Sequence, residues 1–226
     1  MKKSAVILLV SFLISACSDS GNTPPVIEES IAYLALGDSY TIGASVEVEE
    51  RWPNQLARLL FPSVPGNELR LLAQTGWTTA DLTNAIDTTT DFKNRYDLVS
   101  LLIGVNNQFQ GRSLDNYEIE FRALLEKSIE FAGDDPGRVF VVSIPDYAYT
   151  TFGGGDPMIS QEIDEFNAAN KAITDEYGIQ YFNITPISRL GLDQPELVAT
   201  DGLHPSGEQY RRWVELMVDD VRMMLQ

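Results

Sequence analysis

The stretch Ile31-Ala-Tyr-Leu-Ala-Leu-Gly-Asp-Ser39 (IAYLALGDS) indicates how this chain folds. Its first six residues are apolar and run into Gly37-Asp38, which is typical of a buried strand that ends in a turn. Similar short apolar runs occur at residues 68–73, 97–103, 139–142 and 179–182. Helical patterns lie between these runs, so the sequence predicts an α/β fold: a five-stranded parallel sheet covered on both faces, in three layers.

The helices carry recognisable start and stop signals. Thr79 is expected to cap a short helix in residues 78–86, and Ser113 a long helix that ends at Gly133. A further helix is predicted over residues 160–177, with Gly178 after its last turn. Ser206 has the spacing of a capping residue for the last helix. That helix should turn five apolar side chains toward the core: Tyr210, Trp213, Val214, Met217 and Val221.

Four short segments that follow strands carry polar residues or glycine. They are residues 37–40, 74–77, 104–107 and, beyond a long connection, 201–204. In open parallel sheets, ligands bind at the carboxyl ends of the strands. A serine, a glycine, an asparagine and an Asp/His pair are therefore expected to meet at one edge of the sheet.

These residues are the components of an acyl-transfer site. His204 is the only histidine in the chain, and Asp201 lies three positions before it. Ser39 would be the nucleophile, His204 would accept its proton, and Asp201 would orient the imidazole. Taken singly, Gly-Asp-Ser could be a turn, and a lone histidine could be a surface or core residue. Their joint placement after successive strands favours a catalytic site.

The tetrahedral intermediate of acyl transfer also needs hydrogen-bond donors for its oxyanion. The backbone N–H groups of Ser39 and Gly76 could supply two of them, and the side-chain amide of Asn106 a third. Alternatively, Gly76 could serve only a tight turn and Asn106 only a local side-chain turn.

Together these segments resemble the conserved blocks of the SGNH (GDSL-type) hydrolases. Ser39, Gly76, Asn106 and His204 match the four residues that give that family its name, and Asp201 matches the acid of its triad. The resemblance extends from Ile31 to the C-terminus and implies a flavodoxin-like fold. It also implies hydrolysis of esters, thioesters or acetylated sugars.

Two blocks depart from the family pattern without removing a catalytic group. Residues 37–40 read GDSY instead of GDSL, and residues 104–107 read GVNN where many members have Asp after the Asn. The expected function is a serine esterase that acts on a small or carbohydrate-borne acyl ester through an acyl-enzyme. A lysophospholipase or acyl-thioesterase of the same fold, and a non-catalytic binding lipoprotein, are the alternatives.

Several residues near these blocks are candidates for substrate binding. Tyr147, Tyr149 and Phe152 precede three glycines in a loop after the fourth strand, and Trp77 follows Gly76. Asn107 could hydrogen-bond at the rim of the site. The loop is expected either to be mobile and to line the acyl or sugar pocket, or to pack its aromatic rings on the edge of the sheet. Trp77 could equally be a core residue.

The first residues have the features of an export signal. Lys2 and Lys3 precede a short apolar stretch that ends at Ile14-Ser15-Ala16-Cys17, which resembles a bacterial lipoprotein signal. The prediction is a signal peptide over residues 1–16, a lipidated Cys17 in a flexible tether over residues 17–29, and one hydrolase domain over residues 30–226. The protein would be exported and lipid-anchored to the bacterial cell envelope. An ordinary secretory signal is the alternative.

Charge and composition exclude several other classes of function. The net charge is −17, which argues against nucleic acid as a partner, because phosphates demand a basic surface. One histidine and one cysteine leave little for a zinc site. We therefore expect no metal and no cofactor, and a monomer.

Overall fold

The computed structural model describes residues 30–61 and 66–226. The predicted signal peptide, Cys17 and the tether lie outside the described residues. Five strands form one all-parallel sheet in the order β2-β1-β3-β4-β5. The strands are β1 (Ala32–Gly37), β2 (Glu68–Ala73), β3 (Leu98–Leu102), β4 (Val139–Val142) and β5 (Gln180–Phe182). The predicted fold class is confirmed, and each strand lies within about one residue of its predicted position.

The register of the sheet aligns the strand ends that the prediction brought together. Gly37, at the end of β1, is paired with Ala73 of β2 on one side and Leu102 of β3 on the other. The order of strands reverses between β1 and β3, because the chain builds outward from β1 in both directions. This is the switch point at which doubly wound sheets bind their ligands.

Eight α-helices of the described chain cover the sheet. They are α1 (Ser39–Ile42), α2 (Trp52–Leu60), α3 (Thr79–Thr88), α4 (Val105–Phe109), α5 (Leu114–Phe131), α6 (Pro157–Glu176), α7 (Thr185–Ser188) and α8 (Gly207–Met224). Helix α2 packs against α8, while α5 packs against α3 and α6. Helix α8 buries the five apolar residues predicted from its spacing. No helix within the described ranges is long and apolar enough to cross a membrane.

Two helix starts differ from the prediction. Thr78, not Thr79, is the N-cap of α3, because Thr78 and Asp81 form a reciprocal capping box. Thr79 is buried in the first turn. Helix α6 begins at Pro157, three residues before the predicted Ser160. Asp156 caps it by accepting the N–H of Met158, and proline suits the first turn because it has no N–H to satisfy.

Candidate active site

Ser39 lies at the point where β1 passes into α1. Asp38 is the N-cap of this short helix, and its Oδ1 accepts the N–H of Tyr40 at 3.0 Å. The cap turns the chain sharply at the end of the strand, so that the Ser39 side chain comes to the edge of the sheet. Ser39 itself is buried. N–H groups in the first turn of a helix have no acceptor within the helix, which leaves the Ser39 N–H available.

His204 and Asp201 are hydrogen-bonded to each other in the turn before α8. The Nδ1 atom of His204 lies 2.6 Å from Oδ2 of Asp201. The Oδ1 atom of the same carboxylate accepts the backbone N–H groups of Leu203 at 2.9 Å and His204 at 3.0 Å. The ring of Tyr40 lies 5.3 Å from the imidazole, centroid to centroid. These contacts fix the imidazole and leave its Nε2 atom without a role in the pair.

Asp201 is held as a carboxylate. Burial acts to raise its pKa, but hydrogen bonds from Ser45, from the His204 side chain and from two backbone N–H groups outweigh it, so the pKa is well below its usual range. The Ser45 hydroxyl donates to Oδ2 at 2.6 Å. Asp201 therefore carries its negative charge next to the imidazole throughout the neutral range.

Asp38 has the opposite electrostatic character. Its side chain is 0% exposed, and this burial raises the pKa of its carboxyl to about 7, although a hydrogen bond from the Tyr40 N–H opposes the shift. Its Oδ2 atom lies 3.5 Å from Nδ2 of Asn106. The residue before Ser39 is thus a buried carboxyl that is neutral for part of the physiological pH range.

Asn106, in α4, and Gly76, in the loop after β2, line the same cleft as Ser39. Asn106 lies in the first turn of α4, and its Nδ2 donates to the backbone oxygen of Trp77 at 2.9 Å. Gly76 has a positive φ of 87°, and a Cβ there would meet no atom within 4 Å. The Gly76 backbone is therefore open to an approaching molecule.

Ser39 and His204 line one cleft of about 120 Å³. Its lining comprises Ser39, Tyr40, Thr75, Gly76, Val105, Asn106, Phe109, Tyr147, Phe152, Leu203 and His204. Six of these are predicted site residues, including one from each of the four blocks. No hydrogen bond joins the Ser39 hydroxyl to His204 in the described chain, a looseness that is common for such pairs before substrate binds.

Three predicted substrate-binding residues, Trp77, Asn107 and Tyr149, are not among the residues that line this cleft. Asn107 is buried, and both ends of its amide are used by Thr79: Oδ1 accepts the Thr79 N–H at 3.0 Å, and Nδ2 lies 2.6 Å from the hydroxyl. The side chain of Trp77 packs against the core. Tyr149 is half-buried, and its backbone oxygen lies close to Gly191, where a Cβ would come 2.5 Å from it.

Five residues that line the cleft were not predicted, among them Phe109, and neither was Ser45, which contacts Asp201. Phe109 lines the cleft beside Tyr147 and Phe152. It could have been found from its position three residues after Asn106, because residues at that spacing share a helix face. Ser45 contacts Asp201 across 156 positions of chain. No local pattern signals such a contact.

Within residues 30–61 and 66–226, no group of three or more His, Cys, Asp or Glu side chains is placed to hold a metal ion.

Comparison with known proteins identifies related sequences. The sequence model of the GDSL-like Lipase/Acylhydrolase family matches residues 35–212, a range that contains all four blocks. No protein with a curated description matches the chain in sequence.

Solved structures share the fold at low sequence identity. The acetylxylan esterase Axe2 from Geobacillus stearothermophilus gives a TM-score of 0.64 at 20% identity, over 87% of this chain and 96% of that one. The psychrotrophic esterase EstA from Pseudoalteromonas sp., in a structure inhibited by monoethylphosphonate, gives 0.60 at 18% identity, over 84% and 96%. A lipolytic G-D-S-L family protein from Veillonella parvula DSM 2008 gives 0.61 at 18%, over 83% and 96%.

Proposed function

Since the chain belongs to the GDSL-like lipase/acylhydrolase family and is an ester-hydrolysing enzyme, we propose that Ser39, His204 and Asp201 are its catalytic triad. One observation carries this proposal. Ser39 and His204 line the same cleft, and Nδ1 of the imidazole lies 2.6 Å from Oδ2 of Asp201. This arrangement leaves Nε2 to accept the serine proton.

In the acylation step, Ser39 Oγ attacks the ester carbonyl carbon while its proton passes to Nε2 of His204. The carbonyl oxygen becomes an oxyanion, and Asp201 stabilises the imidazolium that has formed. When the tetrahedral intermediate collapses, the C–O bond to the alcohol breaks, and the alcohol leaves with the proton from His204. The acyl group remains on Ser39.

Deacylation repeats these steps with water. His204 takes a proton from water, the resulting hydroxide equivalent attacks the acyl carbon, and the bond to Ser39 Oγ breaks. The serine regains its proton from His204, and the carboxylic acid is released. No metal or redox group is required to balance either step.

The proposed oxyanion hole consists of the N–H groups of Ser39 and Gly76 and the amide of Asn106. The Asn106 Nδ2 carries two hydrogens: it donates to the Trp77 oxygen at 2.9 Å and makes only a long, 3.5 Å hydrogen bond to Oδ2 of Asp38. The short bond fixes which end of the amide is the donor, and an oxyanion would take the place of Asp38 as the acceptor of the second N–H. Pre-oriented donors of this kind are a large part of the rate enhancement of such enzymes.

The proposed substrate is a small or carbohydrate-borne acyl ester. The cleft of about 120 Å³ suits a short acyl group better than a lipid tail. Axe2, which shares the fold, is an acetylxylan esterase. A lysophospholipase or acyl-thioesterase activity is the second candidate, and a comparison of acetyl, butyryl, octanoyl and thioester substrates distinguishes them.

Hydrolysis of ethyl acetate, followed by acid release, tests the proposed triad. Ser39→Ala should reduce kcat by at least about 10³-fold, because both the nucleophile and its proton are lost. Ser160→Ala, which changes a serine of α6 outside the cleft, is the control and should keep full activity. A Ser39→Ala enzyme that retains wild-type kcat would overturn the proposal.

We also propose that the protein is exported and lipid-anchored through Cys17. The support is the pattern Lys2-Lys3, an apolar stretch and Ala16-Cys17. Expression in a bacterial host with a radiolabelled fatty acid should give a labelled, membrane-bound protein, and Cys17→Ser should be unlabelled. Equal labelling of both forms would contradict the anchor without bearing on the esterase activity.

A further inference from the structure

Three aromatic side chains form one cluster at the mouth of the cleft. Phe109, Tyr147 and Phe152 are mutual neighbours, with ring centroids 6.1 Å (Phe109–Tyr147), 6.1 Å (Phe109–Phe152) and 6.3 Å (Tyr147–Phe152) apart. Tyr147 is buried, but Phe109 is 58% exposed and Phe152 is 56% exposed. We call these three residues the aromatic rim. Two adjoining, half-exposed phenylalanines beside a nucleophile are an apolar surface that folding alone does not explain.

Hydrogen bonds hold the rim in place. The Phe152 N–H donates to the backbone oxygen of Gly202 at 2.9 Å, which ties the loop to the turn that carries His204. Gly153 lies so close to Tyr147 that a Cβ would come 2.0 Å from its backbone oxygen. The absence of a side chain at Gly153 therefore allows this loop to pack closely beside Tyr147.

The rest of the cleft contains no competing charge. Apart from His204, none of its lining residues in the described chain is an acidic or basic side chain. Gln108 and Glu162 lie near the Tyr147 hydroxyl, but neither of them lines the cleft. A substrate group that reaches the rim would therefore leave water and contact aromatic rings. Its binding free energy would be favourable only if the group were uncharged.

We propose that the aromatic rim is a binding subsite for an uncharged apolar group of the ester, either an acyl chain of butyryl length or longer, or an apolar alcohol. This inference rests on the proposed esterase function and narrows its substrate class. Phe109 comes from the wall that carries Asn106, and Phe152 is bonded to the turn that carries His204. The rim is thus connected both to the element that carries Asn106 and to the turn that carries His204.

Two substrate series separate the two sources of the apolar group. Ethyl acetate, butyrate and hexanoate vary the acyl group, and ethyl and benzyl acetate vary the alcohol. Wild type is compared with Phe109→Ala and Phe152→Ala. The control is Ile119→Ala, which removes an exposed apolar side chain of α5 that does not line the cleft.

The rim variants should lose about tenfold in kcat/KM for the members with the apolar group, in one series or the other. Their loss for ethyl acetate should be several-fold smaller than this, and Ile119→Ala should change nothing. An equal effect on all substrates, or none, would overturn the rim as a subsite. Wild-type hydrolysis of ethyl acetate that depends on Ser39 keeps this outcome separate from a failure of the esterase proposal.

A second, independent observation concerns Ser45. Its hydroxyl donates to Oδ2 of Asp201 at 2.6 Å, and this is the same oxygen that bonds the imidazole of His204. Ser45 has a φ of 65°, a left-handed conformation that is costly for serine. A residue kept in a strained conformation with its side chain on the catalytic acid points to a role in positioning.

The groups around this pair come from several elements. Tyr40 of α1 packs beside the imidazole with its ring tilted. Burial, and to a smaller extent the negative charge of Asp201, raises the pKa of both Tyr40 and Tyr210 of α8. The charges of Asp38 and Asp146 also raise the pKa of Tyr40. These groups are unchanged when Ser45 is replaced, so a change in pH dependence would report on the Ser45–Asp201 contact.

We infer that Ser45 is a positioning residue that shares the charge of Asp201 and thereby sets how strongly the carboxylate holds a proton on His204. Without the hydroxyl, Oδ1 would keep its two backbone donors, so the carboxylate would stay in place. Its full charge would then face the imidazole and stabilise the protonated form. The enzyme would need a higher pH to reach full activity.

Ser45→Gly tests this without backbone strain, because glycine accepts a positive φ. The midpoint of the acidic limb of kcat against pH should rise by about 0.5 pH unit, with KM unchanged. Asp134→Gly is the control: it relieves the other described non-glycine residue with positive φ, in the turn after α5, and should leave the midpoint in place. An unchanged or lower midpoint in Ser45→Gly would reduce Ser45 to a loop residue.

Discussion

At the scale of single residues, Asp38 is a carboxyl whose protonation state changes near neutral pH. It is buried directly before the nucleophile, and desolvation raises the pKa of its carboxyl to about 7. An acid whose pKa is higher in the folded state than in the unfolded chain makes folding less favourable as the pH rises between the two values. Asp38 should therefore cost stability progressively from about pH 4 to pH 7.

Replacing Asp38 by Asn removes this cost and keeps an oxygen that can accept the Tyr40 N–H. The free energy of unfolding of Asp38→Asn relative to wild type should be near zero at pH 4 and should increase by up to about 4 kcal/mol by pH 8. Urea unfolding at both pH values measures it. A difference that does not change with pH would show that Asp38 is ionised throughout.

The role proposed for Asn106 gives a kinetic prediction. Asn106→Ala should lower kcat by about 10²–10³-fold and change KM little, because the amide is needed mainly when the oxyanion forms. Asn84→Ala, an exposed asparagine of α3, is the matched control. A variant whose loss lies entirely in KM would reassign Asn106 to substrate binding.

Individual residues were predictable where their chemistry is tied to a strand end. Ser39, Gly76, Asn106 and His204 follow this rule and line one cleft. Asn107 does not, because a one-residue step along a helix turns the side chain by about 100°, here away from the cleft and toward Thr79. Ser45 could not be predicted, because its contact with Asp201 depends on how two distant loops pack.

At the scale of elements, α4 positions Asn106 and Phe109 only because Gly104 lets the chain turn sharply after β3. Gly104 has a φ of 133°, and a Cβ there would lie 2.6 Å from Cε2 of Tyr117 and 2.9 Å from Cδ1 of Ile144. Tyr117 is fixed in turn, because its hydroxyl donates to the backbone oxygen of Ile103 at 3.1 Å.

Gly104→Ala should therefore lower the free energy of unfolding by about 3 kcal/mol or more, from both strain and overpacking. Gly111→Ala isolates the cost of strain, because Gly111 also has a positive φ of 65° but has nothing within 4 Å of the added Cβ. It should lose about 1 kcal/mol. Equal losses in the two variants, measured by urea unfolding, would show that the contacts with Tyr117 and Ile144 do not matter.

Element types were predictable from hydrophobic spacing, whereas some helix starts were not. The five strands and the inward face of α8 follow directly from apolar patterns. At the start of α3, two adjacent threonines could each cap the helix, and only the partner Asp81 selects Thr78. At α6, Asp156-Pro157 is an N-capping residue followed by a first-turn proline, but the three glycines directly before it indicate a loop.

At the scale of the whole molecule, the site is a product of parallel topology. The serine and histidine are separated by 165 positions of chain, and their segments come together because the sheet collects the carboxyl ends of its strands at one edge. This is why chain order and strand ends predicted the cleft. Chain order does not predict the identity of the acyl group in the same way, because the aromatic rim is formed by Phe109 of α4 and by Tyr147 and Phe152 of the loop after β4.

The most direct test of the proposed triad is labelling of the protein by a fluorophosphonate, followed by peptide mass spectrometry. An activated serine oxygen displaces fluoride and forms a stable P–O bond, and the fold relative EstA is described in a structure inhibited by a phosphonate. We expect one adduct, on Ser39, and a labelling rate that is at least about 10³-fold lower in His204→Ala than in wild type. An adduct on another residue, or labelling of Ser39 at an unchanged rate in His204→Ala, would contradict the proposed triad.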